Sequence, residues 1–428
     1  MSVRVARTER AITAFGGAEL LREAGRAVGL ASAVDDCLSL KKRVRGLSDT
    51  EFVMGMAESI ALGASCLDDL AVNRADGAQA ELRGFELPAP QSAEAWLRRF
   101  TLGHIRQLDK ALLRAQRNAY VVAGVKEVTL DFDSTYVFSR SRRRQGADRT
   151  YKKGYALHPL LCFDAETGAA THARLRRGKA GASTGISTFV SEALRAVPDG
   201  VGVRARFDSG FYSGALLTQL ETAGVSYLCG GPLSAPILEA ASQIADEYWT
   251  SCLDKDAEVA EFAYRLRDGG PFRRYVAKRV EIPPGRQASL WEGGYRYWIL
   301  VTNDRVADAA QLEAEHRQKA VVETGMAEPK SNFGLHASAS TASWPTGHGC
   351  SSSAWATTCT VGPSTSGSSA LAGTTASCGP NDCTTATFTS RPCSCAAAGG
   401  SRCDSRPAIP SSGASSPLST ASDASSRP

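Results

Sequence analysis

Over the first 120 positions, apolar residues recur at helical spacing. Leu20, Leu21, Val28, Leu30 and Val34 fall on intervals that place them on one helix face after another. The pattern predicts helices across residues 15–122. From 92 to 122 it predicts a long amphipathic helix or a helix pair, with Ser92 as the N-cap and Glu94 in the first turn. The polar positions of this stretch are mostly basic: Arg98, Arg99, Arg106, Lys110, Arg114 and Arg117. Such a stripe reads either as a solvated helix face or as phosphate contact in a DNA-binding region.

From residue 126 the period changes to two. Val128, Leu130 and Phe132 face one way, and Thr129, Asp131 and Asp133 the other. Further strands are predicted at 155–163 and 169–175, joined by the turn DAETG. Ser183 and Thr184 open a helix on Ile186, Phe189, Val190, Leu194 and Val197. A buried strand (201–207), a helix (212–223) and a short strand (225–229) follow. Three strands, helix, strand, helix, strand describes a mixed α/β sheet covered by helices. Residues 231–303 carry β-type runs (EFAYRLRD, RRYVAKRVEI, YRYWILVTND) between Gly and Pro turns and read as an inserted β-rich subdomain. A helix is predicted from 308 to 328.

The pattern then stops. From 336 onward the only Leu or Ile residues are Leu371, Ile409 and Leu418, and the rest is largely Ser, Thr, Ala, Gly, Cys and Pro. Such a segment cannot bury enough apolar surface to offset its ordering entropy. The abrupt change after NFGL suggests a reading-frame shift near codons 335–336 of a GC-rich gene; the other reading is a disordered tail.

Composition adds modest bounds. A chain of 428 residues has room for two or three domains, and a net charge of +5 favours a polyanionic partner only weakly. Cys37, Cys66, Cys162, Cys229 and Cys252 are scattered among apolar residues and read as reduced thiols of a cytosolic protein. The seven cysteines from Cys350 to Cys403 lack the paired spacing of a zinc site. No apolar run suits a signal peptide or a membrane span, and the glycines at 230–231 lack the Lys-Ser/Thr of a nucleotide loop. The expectation is a cytoplasmic protein with no membrane and no nucleotide cofactor.

Chemistry concentrates at three acids. Asp133 lies in the strand run VTLDFDSTYVF and Asp208 in VGVRARFDSGF. His316, Lys319, Glu323 and Lys330 are spaced to share one helix face. Three carboxylates on two strands and a helix suit two Mg2+ or Mn2+ ions, which take oxygen ligands and promote in-line phosphodiester displacement. Asp131, two residues before Asp133 on the same face, is a rival for the first position. The loop 140–153 holds seven basic residues and one acid, with Arg142, Arg143, Arg144, Lys152 and Lys153 as candidate DNA contacts. Trp249, Trp291 and Trp298 read either as packing or as stacking platforms for an exposed base.

Taken together, LDFDST (130–135), KGYALHPLL (153–161), LRRGKAGAST (175–184), ARFDSGF (205–211) and the 316–330 helix resemble the DDE transposases of bacterial insertion sequences. The similar subgroup carries the helix signature Tyr-x2-Arg-x3-Glu-x6-Lys and a β insertion before its Glu. The resemblance covers about 15–335. It implies an RNase H-like mixed sheet flanked by helices, with a helical N-terminal region. The implied divisions are a DNA-binding region (1–122), the first part of the catalytic core (123–230), the β-rich insertion (231–305), the helix bearing the Glu (306–335) and the tail (336–428).

By the same resemblance Asp133, Asp208 and Glu323 hold two Mg2+ or Mn2+ ions, while Lys319, Lys330 and His316 contact DNA. His316 stands where the signature has Tyr, and Lys319 where it has Arg. Pro329 interrupts the helix between Glu323 and Lys330, at a cost of about 3 kcal/mol in a helix interior. The implied reaction is cleavage at terminal inverted repeats and strand transfer, by a protein dimer on double-stranded DNA. An inactive DNA-binding remnant and a host nuclease of the same fold are the alternatives.

Overall fold

A computed structural model of the chain describes residues 12–43, 45–64, 66–139, 142, 144–150, 152–265, 270–282 and 294–327, with 320–327 described by backbone alone. The chain divides into two units, Met1–Thr374 and Thr375–Pro428, and every described residue lies in the first. The predicted tail, Trp291, Pro329 and Lys330 lie outside the described residues.

Seven helices open the described chain: α1 (Ala18–Ala27), α2 (Leu30–Cys37), α3 (Asp49–Ala61), α4 (Asp69–Arg74), α5 (Gly77–Arg83), α6 (Pro90–Leu97) and α7 (Leu102–Ala123). They close around Trp96, which stacks on Phe52 at 5.1 Å and meets Phe100 edge-on at 4.7 Å, while its indole N–H donates to Asp49 Oδ1 at 2.7 Å. The basic stretch forms a helix pair. Its first helix starts at Pro90, not after Ser92, because proline at N1 presets the helical φ where no amide partner is needed. The second starts from a Thr101 capping box and stops at Gly124, whose φ of 64° suits the left-handed C-cap.

The chain continues through β1 (Glu127–Ser134), β2 (Val137–Phe138), β3 (Asp148–Arg149), β4 (Tyr155–Leu157), β5 (Leu160–Asp164), β6 (Ala170–Arg174), α8 (Ile186–Ala193), β7 (Gly202–Phe207), α9 (Gly214–Thr222) and β8 (Ser226–Gly230). Then come α10 (Ala235–Ser242), β9 (Thr250–Ser251), β10 (Ala257–Tyr264), β11 (Arg273–Glu281), β12 (Tyr295–Thr302) and α11 (Ala309–Ala327). Where the sequence predicts one strand over 155–163 there are two, divided at His158–Pro159. Pro159 has no amide to continue a ladder. The first piece, β4, joins β2 and β3 in a small sheet, and the second, β5, enters the main one.

The main sheet runs β6-β5-β1-β7-β8-β12-β11-β10-β9. β1 lies antiparallel to β5 and parallel to β7, and β7 is parallel to β8. Its first five strands, numbered by their order in the chain, stand in space as third, second, first, fourth, fifth: an RNase H-like mixed sheet. The β-rich segment is present as β9–β12 and is hydrogen-bonded into this sheet through β12 and β8.

The two sheet faces differ. One carries Phe132, Phe207, Tyr227, Cys229 and Val301, packed against Phe189 of α8, Leu216, Leu217 and Leu220 of α9, and Ile237 of α10. The other carries Leu228, Val259, Val276 and Leu300 under Ala309 and Leu312 of α11. The same face carries a second apolar cluster at its β5–β6 edge, Leu161, Phe163, Ala170 and Ala173, and between the two patches lie Asp131, Asp133, Arg206 and Asp208.

Charged contacts fasten α7 to the core. Arg106 pairs with Glu192 of α8; Arg174 of β6 pairs with Glu192 at 2.5 Å and Asp109 at 3.3 Å; Arg117 reaches Asp199 at 2.8 Å. Burial alone would raise the Glu192 carboxyl, but His172, Arg174 and Arg106 bring it down to about 2. The unfolded chain takes up this proton near 4.5, the folded chain only near 2. Stability contributed by Glu192 is therefore full above about pH 4.5 and is lost as the pH falls towards 2. The urea midpoint should decline over that window, and Glu192→Gln should flatten the decline.

Candidate active site

Strand register brings the two strand aspartates together. Phe132 of β1 stands opposite Phe207 of the parallel β7. Asp133 and Asp208 follow directly, so they sit side by side at the carboxyl ends of neighbouring strands, roughly 5 Å apart in backbone spacing. Each accepts the amide of the next serine: Ser134 N donates to Asp133 Oδ1 at 2.6 Å and Ser209 N to Asp208 Oδ1 at 2.7 Å. Asp133 is half-buried and Asp208 exposed. The second turn is tight, for a Cβ on Gly230 at the end of β8 would lie 2.6 Å from Ser209 N.

Asp131 occupies the same face two residues earlier but has different surroundings. It is fully buried, and Arg206 of β7, its register partner, donates to both carboxylate oxygens at 2.6 Å. The same guanidinium donates through Nη1 to the Glu315 carbonyl of α11 at 2.9 Å. Two residues earlier on the same strand face, Arg204 pairs with Glu315 at 2.6 Å and with Asp304. These bonds fix α11 over β7. Asp131 thus has both oxygens committed to an ion pair, whereas Asp133 and Asp208 stand beyond it at the strand ends.

Helix α11 continues from that anchor towards the aspartates. The His316 ring Nε2 donates to the Phe207 carbonyl at 3.3 Å. Burial depresses the His316 pKa, and Lys319 adds to the effect, while the Phe207 carbonyl and Asp208 oppose it. Lys319 is 9% exposed. Lys319 and Asp208 both act on His316 and on the Cys229 thiol, which burial pushes up to about 12, so the four groups share one locale. The helix backbone carries Glu323 one turn past Lys319 on the same face. Its side chain lies outside the described residues.

Two loops complete the surroundings, and their side chains were not singled out by sequence. His158 receives the Ser134 hydroxyl at Nε2 (3.0 Å) and donates from Nδ1 to the Ala180 carbonyl (2.7 Å). Its ring stacks on Tyr136 at 4.2 Å. Arg176 donates to the carbonyls of His158, Gly181, Ala182 and Thr184 at 2.6–3.2 Å, pinning the 176–184 loop. Burial lowers the Arg176 guanidinium to about 10, with Tyr136 opposing. The loop passes the second aspartate too, since a Cβ on Gly210 would lie 3.3 Å from the Ala182 methyl. The signal for these roles was present in the quoted segments KGYALHPLL and LRRGKAGAST, but a lone His or Arg in either has no partner legible from spacing.

The basic loop is less uniform than its composition. Arg142 is exposed and lies over the Tyr155 ring at 5.6 Å; Lys152 is exposed and 5.9 Å from the Tyr136 ring; Lys153 is exposed, with φ 61°. Arg144 is half-buried, and burial lowers its pKa. Arg143 lies outside the described residues. Trp249 is a packed residue, 7% exposed beneath the Arg279 guanidinium at 4.2 Å.

Among the described residues, no three His, Cys, Asp or Glu side chains are grouped as a metal site. Two adjacent carboxylates at the strand ends have the hard-oxygen character that Mg2+ and Mn2+ prefer.

The ion pair and the strand-end acids predict opposite responses. Asp131→Ala, which leaves Arg206 buried and unpaired, should cost about 3–5 kcal/mol in chemical denaturation. Asp133→Asn should cost less than about 1 kcal/mol.

Comparison with known proteins adds an independent line. The sequence model of the family described as transposase DDE domain group 1 matches residues 1–344. Among solved structures, the chain is similar to the piggyBac transposase in its synaptic complex with hairpin DNA. Identity is 12%, the match covers 74% of this chain and 73% of that one, and the TM-score is 0.38. A search of curated proteins found no match.

Proposed function

The chain belongs to the transposase DDE domain family, and from that premise we propose that it cleaves DNA at the terminal inverted repeats of an insertion sequence and transfers the freed strand to a target. The observation that carries the reading is the β1–β7 register, which sets Asp133 beside Asp208 while Arg206 directs α11, with Lys319 and Glu323, towards the same strand ends.

Asp133, Asp208 and Glu323 would hold two divalent ions, Mg2+ or Mn2+. When bound, these ions supply Lewis-acid activation of the attacking oxygen and neutralise charge on the scissile phosphate. The chain's own residues do the positioning. The Ser134 and Ser209 amides hold the two carboxylates at fixed rotations, and His158 holds Ser134 through its hydroxyl. In this reading Lys319 meets a phosphate oxygen as a point charge. By the same reading His316 positions α11 on the Phe207 carbonyl, and Lys330, Arg142, Arg143, Arg144, Lys152 and Lys153 contact DNA phosphates, Lys152 from beside the Tyr136 ring.

Water attacks a phosphodiester, the P–O3′ bond breaks, and the released 3′-hydroxyl then displaces a 3′-oxygen in the target strand. Two DNA ends call for two copies of the chain, so a homodimer on double-stranded DNA is the working unit. No described helix is long and apolar enough to cross a membrane. The protein is proposed to act in the cytoplasm on the nucleoid, with no nucleotide cofactor.

Nicking of a duplex bearing the element's ends tests the proposal. The chain should nick it only with Mg2+ or Mn2+, and Asp208→Asn should lose more than the roughly 100-fold typical of an outer-shell partner. Equal cleavage of DNA lacking those ends points instead to a general nuclease. Binding without nicking marks an inactive remnant.

A further inference from the structure

One imidazole beside the paired aspartates is restrained on three sides. His158 is 5% exposed and stands where the chain passes from the small sheet into the main one. Tyr136 stacks on its ring at 4.2 Å with 16° between the planes. The Ala180 carbonyl lies 2.7 Å from Nδ1, and the Ser134 hydroxyl 3.0 Å from Nε2.

Hydrogen-bond chemistry assigns the tautomer. A carbonyl oxygen only accepts, so Nδ1 carries the proton. Burial lowers the His158 pKa; the Ala180 carbonyl and Asp133 oppose this, and Arg176 adds to it, so the ring is uncharged at physiological pH. Nε2 is then a bare lone pair, and the Ser134 hydroxyl donates to it. The tautomer therefore depends on the Ala180 carbonyl. That carbonyl belongs to the loop that Arg176 pins through the carbonyls of Gly181, Ala182 and Thr184, and the same guanidinium holds the His158 carbonyl at 2.9 Å.

The other end of this chain of bonds is a proposed metal ligand. Ser134 is the last residue of β1 and stands opposite Leu160 of β5. Its amide donates to Asp133 Oδ1 at 2.6 Å. Strand ends open most readily. This one is closed by the Thr135 amide on the Pro159 carbonyl at 3.3 Å and, one residue earlier on each side, by His158 on the Ser134 hydroxyl.

We propose that His158 is a positioning residue for Asp133, acting through its Nε2 lone pair on Ser134, and that the Ala180 carbonyl keeps this lone pair bare by holding the proton on Nδ1. His158 touches neither metal nor DNA in this role. The proposal rests on the transposase reading and deepens it. Metal affinity at the first aspartate depends on the tautomer of an imidazole two hydrogen bonds away, as hydrogen-bonded outer-shell partners orient the ligands of metal sites generally.

Two amide side chains separate the roles of the two ring nitrogens. Glutamine reaches the Nε2 position and offers Ser134 an acceptor; asparagine reaches the Nδ1 position, keeps the Ala180 bond and leaves Ser134 without one. The readout is Mn2+ titration of the full chain by electron paramagnetic resonance. His158→Asn should weaken Mn2+ binding about tenfold or more, and His158→Gln should recover most of that loss. Ser134→Ala should match His158→Asn, and the two together should cost no more than either alone, because both break one bond. Ser134 is half-buried, so its alanine variant carries the test if His158→Asn does not fold. A His158 that serves only to pack the loop reverses the order, with asparagine tolerated, glutamine impaired and Ser134→Ala silent. That result, in a chain whose Asp208→Asn variant loses Mn2+, overturns the positioning role alone. Mn2+ binding indifferent to Asp208→Asn overturns it together with the transposase reading.

Discussion

The buried pair of Arg206 and Asp131 is the contact on which the arrangement of the site depends. It crosses the β1–β7 seam in register, and its third donor reaches the main chain of α11. A charged pair in this position adds little stability in itself, because desolvation offsets much of its attraction. Its value lies in specificity. A guanidinium that must satisfy a carboxylate and a helix carbonyl together admits one rotation and one height for α11. The strand-end aspartates and the helix residues beyond Glu315 take their relative positions from that.

A second constraint comes from the opposite side. The 176–184 loop is held by Arg176, receives the His158 ring on the Ala180 carbonyl, and packs at Ala182 against the turn after Asp208. Segments far apart in sequence thereby support both aspartates. The glycines there have steric reasons: a Cβ on Gly178 would lie 2.0 Å from the Ala156 carbonyl oxygen, just as one on Gly230 would collide with Ser209. Burial divides the charges: the half-buried Arg176 and the buried Arg206 are spent on carbonyls and an acid, while Lys110, Lys152 and Lys153 are exposed.

Much of this was legible before the structure. Alternation at 127–133 and the buried run 201–207 marked two strands, and an acid followed by serine at the end of each pointed to the proposed site. The helix spacing of His316, Lys319 and Glu323 marked the helix proposed as its third element. Partnership was not legible. Nothing in ARFDSGF distinguishes an arginine that binds DNA from one that binds Asp131, since a period of two gives a face and not a neighbour. For the same reason β10, β11 and β12 read as strands, while their pairing onto β8 could not be inferred. The basic stripe of α7 was visible, but its division into bound Arg106 and free Lys110 depends on where Glu192 of a later helix lies.

The central claim is that the Arg206-anchored helix delivers Glu323 to the carboxylates of Asp133 and Asp208. Mn2+ titration followed by electron paramagnetic resonance tests it without requiring DNA or turnover. The account predicts that the chain binds Mn2+ and that Asp133→Asn, Asp208→Asn and Glu323→Gln each weaken binding about tenfold or more. Unaltered Mn2+ binding by Glu323→Gln, with both aspartate variants impaired, would contradict it.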